Sequence, residues 1–166
     1  MSEKGFHVAR ITPDGYTKVH IVDTIASAAA PTLVEITAGT EVTPFLTPAG
    51  IDTPEEGTDA DISSLASVRD FSIPATIGGD LVAEFYRDDT ADDAWDAMPY
   101  NQVTNLVIAR FGGSDTDNAI QAADVVEVWP VRVSQRSVSR LTRGEAQRFT
   151  VRFALSGDPT LDAVVA

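Results

Sequence analysis

Few residues in this chain have the type and spacing that chemistry requires. His7 and His20 are the only histidines. Each alternates with apolar neighbours as a strand surface does, and neither brings with it the nucleophile, base and orienting group of a catalytic relay. No G-x-S-x-G, H-E-x-x-H or P-loop pattern occurs. In "DTDNAIQ", Asp115, Asp117 and Ala119 stand at positions one, three and five of a calcium loop, but position six is Ile120 rather than glycine and position twelve is Val126 rather than glutamate. That segment, like Asp59 and Asp61 in "TDADIS", therefore reads as solvated turn chemistry.

The 25 carboxylates allow a glycosidase-like pair on counting alone. Such a pair needs one acid raised in pKa by an apolar pocket, whereas most of these acids fall in loops or at a helix start. Hence no catalytic, cofactor-binding or metal-ligating residue is assigned, no cofactor is expected, and the chain does not read as an enzyme. Trp95, Tyr100, Phe111 and Trp129 could form a carbohydrate platform on a β-sandwich, which makes a glycan-binding or adhesion module the alternative reading. The stronger reading has Trp95 docking a short helix onto a sheet and Trp129 anchoring the core from a valine-rich strand.

The elements that would position these residues are mostly strands. "HVARITPDGYTKVHIV" reads as a hairpin, Val8–Ile11 and Thr17–Val22 around Pro13-Asp14-Gly15. Thr32 and Glu35 have capping-box spacing for a short helical turn that Gly39 could end, with a strand as the alternative. "EVTPFL" is a short extended piece broken by Pro44. From Pro48 to Asp61, proline, glycine and carboxylates concentrate as in an exposed loop. Extended segments flank Gly78-Gly79, the second being Leu81–Arg87. "DDTADDAWDAM" is the clearest helix, two to three turns capped by Thr90 and stopped before Pro99. "NLVIARF" is a strand ending at Gly112-Gly113, and Asp124–Ser134 is a long strand in which Pro130 marks a bulge or an edge. In the last strand, Phe149, Val151, Phe153 and Leu155 form a core face, while Arg148, Thr150, Arg152 and Ala154 form a polar one. Seven or eight strands with one helix predict a mainly β fold, a β-sandwich or half-barrel with one flanking short α-helix.

At 166 residues the chain is long enough for one cored domain, 1–166. It has no cysteine, its N-terminus lacks a signal-peptide stretch, and no run approaches the roughly 18 apolar residues of a membrane span. A protein made in a cytoplasm, with no membrane partner, is expected. Of the formal charge of -13, residues 1–124 hold 21 acidic and 6 basic side chains, net -15, and residues 125–166 hold 4 and 6, net +2. Such acidity opposes tight binding of DNA, yet suits a surface past which DNA must slide.

Four stretches in order, "TIASAAAPTLVEITAGTEVTPFLTPAGI", "DLVAEFYRDDTADDAWDAMPYNQVTNLVIARFGG", "AADVVEVWPVRV" and "FTVRFALSGDPTLDAVVA", resemble the major tail tube proteins of long-tailed, siphovirus-type bacteriophages, especially those of actinobacterial hosts. The resemblance covers most of the chain from about Lys18. It implies a structural virion protein, assembled in the bacterial cytoplasm. Such proteins form rings, commonly hexameric, whose sheets join into a tube stacked around a tape-measure protein, with tail terminator and tip proteins as further partners and double-stranded DNA in transit during ejection. It also implies a loop reaching the next ring, for which Pro48, Ile51, Asp52, Glu55, Glu56, Asp59 and Asp61 are the candidates. The cluster Arg132, Arg136, Arg140, Arg143, Arg148 and Arg152 departs from a uniformly acidic bore. Arg148, Arg152 and Arg132 are the candidates for a charge seam that meets carboxylates of an adjacent subunit or lies among acids facing the bore.

Overall fold

The computed structural model describes residues 16–53, 56–62, 72–110 and 119–166. The expected first hairpin strand Val8–Ile11, its turn, His7, Glu55 and the Phe111–Asp117 segment lie outside them. Among the described residues ten strands form: β1 (Lys18–Val22), β2 (Thr40–Glu41), β3 (Leu46–Asp52), β4 (Glu56–Asp61), β5 (Ser72–Gly78), β6 (Asp80–Tyr86), β7 (Val103–Ala109), β8 (Val125–Val138), β9 (Arg148–Leu155) and β10 (Thr160–Val164). Two short helices join them, α1 (Leu33–Ala38) and α2 (Asp93–Asp96). Eight strands make one antiparallel sheet in the order β2-β1-β7-β8-β9-β6-β3, with β10 also paired to β8, and β4 and β5 pair separately.

The alternation of side chains across this sheet sorts two cores. On one face, Leu106, Val131, Val133, Val151, Phe153, Leu81 and Phe85 join Val19 and Ile21 of β1, with Leu46 and Ile51 of β3 packed against them. Strands from opposite ends of the sheet order thus share one interior, so the sheet curls into a half-barrel. The chain crosses between those ends directly, with Val42 N–H donating to Val19 O at 2.9 Å and Val19 N–H to Thr43 Oγ1 at 2.8 Å. On the other face, Val22, Val107, Val126 and Val128 are covered by Ile36 of α1 and by Ala163 and Val165. That second cover stops at β8. Strands β1, β7 and the first half of β8 are therefore buried on both faces and read as near-continuous apolar runs, whereas β6 and β9 alternate.

Several expectations change in detail. Residues 48–61 are strand on both sides of residues 54–55, not loop: β3 pairs β6 (Ile51↔Ala83, Asp52↔Val82) and β4 pairs β5 (Thr58↔Thr76, Asp61↔Ser72). Their proline, glycine and acids suit exposed outer strands, where register shifts occur in both pairs. Beside Pro44 lies a 3₁₀ turn, Thr43–Phe45. The helix expected from Thr90 is a single turn capped by Asp92 at φ 49°. Asp92 is fixed there because its carboxylate pairs with Arg87 (Nε to Oδ1, 3.0 Å), so the chain enters helical geometry two residues late. A second helix forms where the capping box stood, since Glu35 N–H donates to Thr32 Oγ1 at 3.2 Å while Thr32 N–H donates to Glu35 Oε2 at 2.8 Å.

Strand β8 runs four residues past the expected Ser134. A bulge between Val133 and Gln135 shifts its period there, with Ser134 Oγ donating to Arg152 O at 2.9 Å. Pro130 marks neither bulge nor edge. It sits where β8 exchanges β10 (Val128↔Thr160) for β9 (Val131↔Leu155), so the N–H it lacks has no ladder partner to lose.

Gly39 follows α1 in extended backbone, φ -78°. A Cβ there would collide with Ile21 O and lie 2.8 Å from Val22 Cγ2. Gly39→Ala is expected to cost about 1–3 kcal/mol through overpacking, read as a lowered denaturant midpoint. Gly57→Ala, where a Cβ meets nothing within 4 Å, should stay within about 0.5 kcal/mol of the parent.

Candidate functional site: an open half-sheet and a projecting hairpin

The part of the sheet without a second cover is four strands wide: β3, β6, β9 and the distal half of β8. Its bare face carries Asp80, Val82, Glu84 and Tyr86 on β6, Arg148, Thr150, Arg152 and Ala154 on β9, and Arg132, Gln135 and Ser137 on β8. The β6–β9 register puts Val82 opposite Arg152 and Tyr86 opposite Arg148, which leaves each arginine diagonal to an acid. Arg152 Nη1 lies 3.7 Å from Asp80 Oδ2 and Arg148 Nη1 lies 3.6 Å from Glu84 Oε2, with Arg148 also 5.6 Å from the Tyr86 ring centre. Arg132 Nη1 donates to Asn101 Oδ1 at 2.9 Å. Within one chain, Arg148 and Arg152 thus lie among acids of β6 in a cross-strand ladder. Sequence gave the faces but not the register that pairs these charges.

Among the described strands, both margins of this half-sheet are open. Beyond Arg132, which pairs Val103, no described strand flanks β8 on its β7 side; only Val133 is held, through Asn101 and Gln102. On the far side, among the described strands, β3 pairs β6 alone. Strands β3, β6, β9 and β8 alternate in direction, so the two margins run opposite ways.

The β8 margin is backed by α2. Trp95 packs edge-on against Phe149, ring centres 5.0 Å apart, and lies between the guanidinium groups of Arg87 (4.3 Å) and Arg136 (4.1 Å). Arg136 Nη1 also donates to Trp95 O at 3.0 Å. These contacts tie Trp95 to β9 and β8; the two flanking arginines had no sequence signal. Trp129 is buried at 2% exposure and its Nε1–H donates to Glu127 Oε2 at 2.9 Å. Neither tryptophan is therefore free to form a carbohydrate platform.

Strands β4 and β5 extend the β3–β6 hairpin outward as an arm, and no other described element packs broadly on them. Of the loop candidates, Glu56, Asp59 and Asp61 lie on this arm, while Pro48, Ile51 and Asp52 lie on β3 and Ile51 packs against the core. The arm's root is tied down at Thr53, whose Oγ1 accepts from Arg110 Nη2 at 3.0 Å. Arg110 in turn pairs with Glu127 (Nη2 to Oε2, 2.9 Å).

Together these features define a structural subunit whose main sheet, among the described strands, is open at both margins. The sequence matches the profile of the family described as phage tail tube protein over residues 7–166. The chain belongs to that family, and its role is that of a structural component of the virion tail tube. No curated protein matches it by sequence. Its fold is similar to that of a chain in the cryo-EM structure of the anti-feeding prophage baseplate, sixfold symmetrised (12% identity, TM-score 0.57, 96% of this chain and 99% of that one). It is also similar to a chain in the virion of a native gene transfer agent particle (9%, 0.53, 87% and 95%), and to one in the tail of an empty gene transfer agent particle refined with C6 symmetry (10%, 0.54, 93% and 100%).

His20 lies on β1 beneath α1. Burial holds its pKa below the ordinary value of 6.5, helped by Lys18 and opposed by Glu41 and the Ile36 backbone, and its Nδ1 is buried without a hydrogen-bond partner. A base with a depressed folded pKa leaves the unfolded chain binding more protons as pH falls, so its contribution is full above pH 6.5 and is lost as pH falls toward the folded value. Glu35 and Glu41, lowered from 4.5, act only in a more acidic window. The denaturant midpoint of the parent should therefore drop from pH 7.5 to 5.5, and His20→Asn should flatten that drop.

Proposed function

We propose that identical copies join margin to margin, β3 of one beside the distal half of β8 of the next, and so close a ring whose bore is lined by the bare face of β3, β6, β9 and β8. The observation that carries this is the pair of open margins. Unpaired strand edges are a liability unless covered, and an even number of strands per copy makes each head-to-tail seam antiparallel like the rest of the sheet. A heterologous contact of this kind closes when its rotation divides a full turn. Two of the similar structures are described with sixfold or C6 symmetry, which supports a ring of six.

In this reading the arm reaches a stacked ring. An isolated two-stranded hairpin is marginal in water, and a second copy supplies the missing packing. A tape-measure protein fills the bore during assembly, terminator and tip proteins close the ends, and double-stranded DNA passes through in ejection. The paired charges of the bore suit that passage. Each of Arg148 and Arg152 already faces a carboxylate, which weakens its pull on phosphate. No catalytic step is assigned.

Concentrated protein should form rings and tubes under negative stain; a protein that stays monomeric at all concentrations would sink the reading. Replacing residues 54–79 by an Asn-Gly turn should leave rings but abolish tubes. Unaltered tubes would show that the arm does not link rings. Reversing both charges, Arg148→Glu with Arg152→Glu, crowds four acids on one face with Asp80 and Glu84, and repeating that face around the bore adds like-charge repulsion, so the yield of tubes should fall at least about tenfold. Parent-like tube yield would remove the ladder from the assembly.

A further inference from the structure

A groove of about 500 Å³ opens between α1 and α2. Val34, Ala38 and Ala97 make its apolar part, and Asp23 and Asp96 stand at its rim. Val34 is 77% exposed, while Ile36 of the same helix is buried. The connection between β8 and β9, residues 139–147, is its chemical complement. It exposes Leu141 at 74% between Arg140 and Arg143, and among the described residues neither arginine enters an ion pair. The body of the chain around the groove is acidic while the segment from residue 125 onward is net positive.

The registers fix where these two features lie. Val22 pairs Asn105 and Arg132 pairs Val103, so the end of β1, from which Asp23 follows, sits beside the start of β7. Strand β8 runs on past that same end to the 139–147 connection. Groove and connection therefore occupy one end of the subunit. Copies stacked end to end would keep them apart, whereas neighbours side by side in a ring hold both features at one level.

We infer that the 139–147 connection of one copy docks in the α1–α2 groove of its ring neighbour, with Leu141 against Val34 and Ala38, and with Arg140 and Arg143 facing Asp23 and Asp96. This contact rests on the ring reading and deepens it: backbone pairing sets the seam, and the connection adds a side-chain latch specific to this chain's charges. Opposite charges steer the docking and fix its register.

The chain has no cysteine, so introduced thiols report one contact only. Leu141→Cys and Val34→Cys variants, assembled separately and as a mixture, are oxidised and resolved without reductant. The mixture should give a covalent dimer that neither variant gives alone, and a chain carrying both substitutions should give a ladder of linked copies. Tubes without a covalent dimer in the mixture, or a double variant that links only within its own chain, would overturn the latch while leaving the ring intact. A parent protein that never assembles would overturn ring and latch together. As an independent arm, Leu141→Asp should raise the concentration needed for assembly at least about tenfold, with Leu141→Met near parent; equal assembly of all three would overturn the proposal.

Discussion

The backbone hydrogen bond is the constraint on which the rest depends. Every strand residue carries one donor and one acceptor that must find partners, and this sheet supplies them unevenly. Strand β8 has 14 residues and its neighbour β7 only 7, so the distal part of β8 has a partner on one side alone. The fold does not blunt that margin with a Lys or Pro but stiffens it. Trp95, wedged between Arg87 and Arg136 and seated on Phe149, holds the margin from behind. A margin already ordered loses less conformational freedom when another strand joins it.

The same unevenness divides the two faces. Where α1 and the C-terminal segment cover the sheet, Val107, Val126 and Val128 are buried against them, and nothing is left to assemble. Where that cover stops, β6 and β9 present a polar face over an apolar one. The polar face is a ladder of exposed or half-exposed ion pairs, Arg152–Asp80 and Arg148–Glu84, each worth little to the folded monomer. Their larger effect is to offset positive charge with negative on a surface proposed to meet DNA.

Much of this was legible in the sequence because it is local. The period-two pattern of Phe149, Val151, Phe153 and Leu155 marked a half-covered strand, the Thr32–Glu35 spacing marked a capped helix, and a tryptophan on a short acidic segment marked a docking point. What escaped depends on partners distant in sequence. Asp52, Glu56, Asp59 and Asp61 have low strand propensity, yet Asp52 pairs β6 and the other three pair β5, and β-propensity is largely a statement about such neighbours. The bulge at Ser134 breaks the period of β8, so Arg136 and Val138 look like loop although they continue the core side. Asp92 loses its place in a longer helix to Arg87, five residues upstream. The candidate site suffered most, since charge pairing across β6 and β9 follows from register, which no single strand's sequence contains.

In the proposed assembly, ring closure and stacking are coupled through one element. Strand β3 is the open margin on one side of the half-sheet, and the arm of β4 and β5 grows from its end. Its hold on the body is slight: the register with β6 slips between Leu46 and Ile51, and beyond Asp52 the root is tied by Thr53 to Arg110, itself held by Glu127. In the proposed ring, a neighbour's β8 supplies the second row of hydrogen bonds to β3 and removes its freedom to fray. The arm then projects from a strand fixed on both sides instead of one. Because a two-stranded hairpin gains direction only from its root, the proposed ring would aim the arm on closing, before a second ring stacks on it.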